Sequence, residues 1–258
     1  MTILGARKLA RLLHTKPLQQ ITRRHPEWWA IGVAMSAWLM LVAMSVQAIG
    51  PTSVERHLHY GSEPRSIAAT TMHWQLMVVA MMIPLTVPSL RFAAFRSLWP
   101  RRHRAIAMFL TGYLAIWLLV GVSIACLLAW EPRLTDVWKK GATAAAFVLV
   151  AAWQWTPMKR RALVKCHATV PLAPRGWRAD RDAIRFGWMA GRSCFVNCGI
   201  SMVACTLTGH HAVALVACAW MAFQERYSWR PNTKRLGMIA AALAIFFGPF
   251  SPGSISLR

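Results

Sequence analysis

Long apolar windows alternate with short, basic, polar stretches along most of the chain. They fall at about 28–50, 71–90, 105–130, 138–157, 187–208, 211–225 and 236–250. Most approach the roughly 20 residues that a helix needs to cross the hydrocarbon core. The pattern predicts an all-α fold, a polytopic transmembrane helix bundle of about seven spans. The windows at 211–225 and 236–250 are short, so they read as a tight pair of tilted spans or as one span and one re-entrant segment. Six spans is the alternative. The longest polar stretch, 158–186, contains Pro171 and Pro174, which argue against one continuous helix. The organisation expected is a basic segment over 1–27, a single transmembrane domain over 28–250 with a loop at 158–186, and a tail at 251–258.

Charge placement orients this bundle. The chain carries 30 Lys and Arg against 8 Asp and Glu, a net charge of +22, which taken alone suggests a nucleic-acid partner. The basic residues instead crowd into alternate connections. Segments 1–27, 91–104, 158–186 and 226–235 hold 23 of them, and 51–70, 131–140 and 251–258 hold 6. By the positive-inside rule the first set is cytoplasmic, and so is the N-terminus. The positive charge then serves orientation and contact with anionic headgroups, and no nucleic-acid partner is expected. Residues 1–27 lack the apolar core and small-residue cleavage site of a signal peptide, so the first span reads as an uncleaved anchor. The location expected is a bacterial inner membrane.

With topology assigned, the polar and sulfur-bearing residues acquire a depth. In the run SCFVNCGISMVAC (193–205), Cys194, Cys198, Met202 and Cys205 lie within an arc of about 80° on one helix face. The second window carries His73, Met77 and Met81 at similar spacing and runs in the opposite direction. If the two faces met, His73 and Met77 would lie level with Cys205 and Met202, and Met81 with Cys198. His211, Cys218 and Glu225 recur every seven residues in the sixth window. The topology also places His57, His59, His73, His210 and His211 on the outer side. Thiolate and thioether ligands select Cu(I), and imidazole suits copper and zinc. The candidate metal ligands are therefore His73, Met77, Met81, Cys194, Cys198, Met202 and His211. Haem stays open through His or Met axial ligation, although no C-x-x-C-H occurs. Met and Cys are also ordinary apolar core residues, and C-x-x-x-C suits close helix packing. Gln154 and Asn197 are placed to hydrogen-bond between helices. Glu225 is read as pairing with Arg226, and Cys166–His167 as a ligand pair for an exit site.

Several of these segments together resemble a known family. HWQLMVVAMMIPLTVPSL (73–90), GYLAIWLLVG (112–121), WQWTPMKRRALVKC (153–166), GRSCFVNCGISM (191–202) and AWMAFQER (219–226) occur in this order. In that order they resemble an uncharacterised family of bacterial integral membrane proteins labelled predicted metal-binding. The similarity covers about residues 70 to 230. Where many relatives would carry a Cys-Cys pair followed by Trp, this chain has Asn197, Cys198 and Gly199, which leaves a mixed Cys, Met and His ligand set.

The function expected is soft-metal binding, copper first, at an outer-side His, Met and Cys site. It would serve metal handling or the maturation of a metalloprotein partner. Two other classes stay open: a non-catalytic accessory subunit of a membrane complex, and a membrane oxidoreductase using metal or haem. With few acids and no nucleophile–base constellation, hydrolytic chemistry is not expected.

Overall fold

The computed structural model describes residues 24–47, 66–130, 136–209, 211–228 and 231–248. The tail at 251–258 and most of the segment 1–27 lie outside the described residues, as do His57, His59 and His210. The regular elements among them are helices: α1 (Trp28–Gln47), α2 (Ile67–Arg96), α3 (Arg102–Trp130), α4 (Asp136–Gln154), α5 (Pro157–Cys166), α6 (Gly176–Leu207), α7 (Ala212–Tyr227) and α8 (Thr233–Phe246). The helical windows read from the sequence each hold one of these, and the fold is all-α, with no strand among the described residues.

The stretch 158–186 is more ordered than a loop. Thr156 caps α5 by accepting from the Lys159 amide, and Pro157 occupies the first turn, where its missing N–H costs nothing. Pro171 and Pro174 separate α5 from α6, which then starts eleven positions before the apolar window does. Its first turns are charged, and they stay helical because Asp180 is held from outside. Arg101 Nη2 donates to Asp180 Oδ1 at 2.6 Å, and Arg104 Nη2 to Oδ2 at 2.8 Å. The Leu98 amide also donates to the Pro174 carbonyl at 3.3 Å. These bonds fasten the start of α6 to the α2–α3 turn.

Three segments, Trp28–Ser45, Ile67–Arg96 and Trp99–Leu127, are long and apolar enough to cross a membrane. The others fall short for physical reasons. α6 begins with a charged stretch, while the 16 residues of α7 and 14 of α8 extend only about 24 and 21 Å. On α1 the outward residues Val33, Met35, Leu39, Met40 and Val42 are all exposed and apolar.

The most extensive helix contact is between α3 and α6, and small residues create it. A Cβ on Gly112 would run into the Ile184 carbonyl, and one on Gly187 into the Phe109 carbonyl. One on Gly191 would lie 3.0 Å from the Tyr113 carbonyl. The backbones therefore approach as closely as small-xxx-small packing allows, and Tyr113 is carried against α6. Pro84 and Pro88 lie inside α2. Pro88 has no N–H for the Pro84 carbonyl, and Tyr227 Oη donates to that carbonyl at 2.8 Å instead. α7 is thus anchored where α2 is weakest.

Asp180 shows what this fastening contributes. Burial works against its charge, but the hydrogen bonds and charges of Arg101 and Arg104 hold its carboxyl below the usual carboxylate range. A carboxyl depressed in the folded state stabilises above its unfolded pKa of about 4, and that contribution disappears as pH falls through the folded value. Asp180→Asn is expected to cost about 1–3 kcal/mol at pH 7. In thermal melts from pH 7 to pH 3 the gap between variant and parent should close, and a gap independent of pH would refute this.

Candidate metal centre

At the end of the bundle that carries the α2–α3 turn and α5, four helices and the α5 segment enclose a cavity of about 40 Å³. That is room for one or two waters or a single metal ion. Cys166, Cys194 and Cys198 all line it, with Tyr113, Asn197 and Arg226. Leu85, Thr86 and Ser89 also line it. With Met82 they form the face that α2 turns this way, at spacings of three, four and seven.

The sulfur atoms make defined contacts. Cys194 Sγ lies 3.7 Å from Met82 Sδ and receives the Tyr113 hydroxyl at 3.1 Å. Cys198 stands one turn along α6 and lines the same cavity. Asn197 Nδ2 donates to Cys198 Sγ at 3.3 Å and to Glu225 Oε2 at 3.2 Å. The dithiol is therefore held by a tyrosine on one side and an amide on the other.

Glu225 is the polar anchor of this region. Its Oε1 accepts from Lys159 Nζ at 2.7 Å and from Gln154 Nε2 at 2.8 Å, and the Lys159 and Glu225 side chains are each 3% exposed. Arg226 is not its partner, because adjacent side chains on a helix point about 100° apart. Arg226 reaches instead for backbone: its Nη1 donates to the Cys166 carbonyl at 2.7 Å, and its Nε to the Leu85 carbonyl at 3.1 Å. The Gln-x-x-Pro-x-Lys segment thus has a physical meaning. Gln154 ends α4, Pro157 starts α5, and Lys159 returns to the same carboxylate oxygen. Gln154 and Asn197 do hydrogen-bond between helices, both on Glu225.

The residues expected as ligands do not all converge. Cys194 and Cys198 share the cavity. Met77, Met81 and Met202 are buried in the same core, yet the thioether that touches Cys194 belongs to Met82. The Met77–Met81 stripe is rotated from Met82 by about 100°. His73 is half-buried in the first turns of α2. His211 is exposed at the start of α7, where its Nδ1 accepts from the Val213 amide at 3.4 Å. Its ring packs 5.3 Å from that of Phe247, and it stands about 20 Å along α7 from Glu225. Met82 and Met81 are equally apolar neighbours, and the sequence did not separate them. Nothing in the sequence distinguished Tyr113. Among the described residues no three His, Cys, Asp or Glu side chains form a ready cage for a metal.

Residues 71–250 match the family model described as PpoB2: copper chaperone. The chain belongs to the PpoB2 copper-chaperone family. The match covers every residue around the cavity. No curated relative and no solved structure matches. Soft ligands and a copper-handling family agree on copper, since thiolate and thioether donors select Cu(I).

Two outcomes follow from the electrostatics. Burial first, then Cys198 and Glu225, push the Cys166 thiol up to about 12 against the opposing pull of Arg226 and Lys159. Thiolate is the reactive form, so Cys166 at pH 8 should alkylate at least about a hundredfold more slowly than a free thiol, as read by mass spectrometry of the peptide. Lys159→Met, which strands a buried carboxylate, is expected to cost about 3–5 kcal/mol, whereas Lys159→Met with Glu225→Leu should recover most of it. Equal melting temperatures for the single and double variants would show that the pair is not desolvated.

Proposed function

We propose that this chain is an integral membrane copper chaperone that carries Cu(I) on the Cys194–Cys198 dithiol. The observation that carries the reading is the cavity on which Cys166, Cys194 and Cys198 open together. Met82 stands behind Cys194, and the chain belongs to a copper-handling family. Cu(I) binds as the thiols give up their protons, and the cavity offers those protons a way out. Met82 supplies a soft, neutral third donor. Asn197 and Tyr113 are positioning residues, each holding one sulfur in place. Cys166, which stays a thiol in the absence of metal, stands where cargo would enter or leave.

Membrane integration rests on the three long apolar helices, the apolar outer face of α1 and the asymmetric basic connections. In this reading the bundle has seven spans with α7 and α8 as a short pair, and the N-terminus lies on the cytoplasmic side of a bacterial inner membrane. Shorter spans are accommodated by local thinning of the bilayer. The cysteine-lined cavity then opens at the cytoplasmic end. His73 and His211 lie toward the other end of the same sulfur-lined core. The recipient is a metalloprotein outside the cytoplasm, matured with the copper delivered.

The test is a Cu(I) titration of the purified full-length chain in detergent, under reducing, anaerobic conditions, against a chromophoric Cu(I) chelator. Cys194→Ser/Cys198→Ser should lose one copper per chain at unchanged far-ultraviolet circular dichroism. Met82→Leu should weaken that site about tenfold without removing it. Undiminished copper in the double variant would overturn the assignment.

A further inference from the structure

The Cys194–Cys198 site leaves two of the buried thiols without a task. Cys205 is fully buried and Cys218 is 2% exposed. They come from different helices, α6 and α7, and the fold brings them together. Cys205 Sγ lies 3.7 Å from the Ala214 carbonyl, which places it against the first turn of α7. Cys218 follows Ala214 by four residues, so its side chain leans back over that same turn. Both thiols belong to one buried core cluster and remain unbridged.

Their surroundings are soft as well. Met202, fully buried, is the preceding residue on the Cys205 face of α6 and belongs to the same core cluster as both thiols. Cys205 stands seven residues from Cys198, about 10 Å along the helix axis, in the direction of the helix ends that carry His211. Thiols pack as small apolar side chains, and two of them brought together from different helices also offer a pair of soft ligands to an ion that enters the core. A pair of thiols backed by a thioether suits a soft monovalent ion, and copper, the metal of the family, has one in Cu(I).

We propose that Cys205 and Cys218 form a second Cu(I) site, separated from the Cys194–Cys198 site by Met202. The inference rests on the reading of the first site as a copper site. Copper binds at Cys205 and Cys218 by replacing the two thiol protons, which leave to solvent; no electron is transferred. With two sites on one helix face, a chaperone can hold cargo at both ends of its core and pass it along α6 by exchange of thiolate ligands.

The same anaerobic titration with Cu(I) itself decides the matter through stoichiometry. The parent chain is expected to bind two copper ions, Cys205→Ser/Cys218→Ser one, Cys194→Ser/Cys198→Ser one, and the fourfold variant none. The copper retained by each double variant doubles as its folding control, and Cys205→Ala/Cys218→Ala provides a second variant if serine disrupts the core. A parent that binds one copper, lost on changing Cys194 and Cys198 and kept on changing Cys205 and Cys218, overturns the second site and leaves the first standing. A parent that binds none overturns both. Sulfur coordination of the copper kept by the Cys194→Ser/Cys198→Ser variant, seen by X-ray absorption, supports the second site, and coordination by nitrogen or oxygen alone overturns it.

Discussion

The Glu225 carboxylate accepts from Lys159 and Gln154 on one oxygen and from Asn197 on the other. Through these bonds α4, α5, α6 and α7 meet at one buried point. An ion pair taken out of water returns little net stability, but losing one partner leaves a charge with nowhere to go. The geometry around Glu225 is therefore well determined. Asn197 spends its amide on both the carboxylate and the Cys198 sulfur, so the sulfur inherits that order. Its own carbonyl oxygen, buried without a hydrogen-bond partner, marks the cost of the arrangement.

On the other side of the cavity the ordering is steric. Gly112, Gly187 and Gly191 let α3 and α6 touch through their backbones, which brings the Tyr113 hydroxyl to the Cys194 sulfur. Larger residues would hold the helices apart and leave the tyrosine short of its partner. The proline-interrupted α2 completes the enclosure. Its freed Pro84 carbonyl is taken by Tyr227, while Arg226 holds Leu85 and Cys166 by their carbonyls. Polar groups thus hold the rim and apolar contacts the walls, and the sulfur atoms lie between them.

A copper chaperone has to bind its ion firmly enough to exclude water and loosely enough to give it up. A closed cage of many ligands would bind too well. Pairs of thiols with thioethers beside them meet the requirement, because ligand exchange between sulfur atoms needs no redox step and no large movement. In the proposed reading the C-x-x-x-C spacing serves this chemistry while the glycines of the same helix serve packing, so the two demands do not compete for the same positions.

Much of this was readable along the chain, because apolar windows, capping residues and prolines act locally. The number and order of the long helices, the break at Pro171 and Pro174, the single sulfur face of residues 194 to 205 and the interhelical roles of Gln154 and Asn197 all follow from periodicity and residue type. The start of α6 at Gly176 did not, since its charged first turns are fastened through Asp180 to two arginines almost eighty positions earlier. Which methionine faces Cys194 was also hidden. Met81 and Met82 are equally apolar, and only the rotation of α2 against α6 separates them. In the same way Glu225 took Lys159 rather than its neighbour Arg226, and His211 went to the far end of α7. Sequence by itself determined the helices and the soft chemistry they carry. The tertiary structure alone decided which sulfur atoms meet, because a contact between helices depends on their relative rotation and depth, and no single helix encodes either.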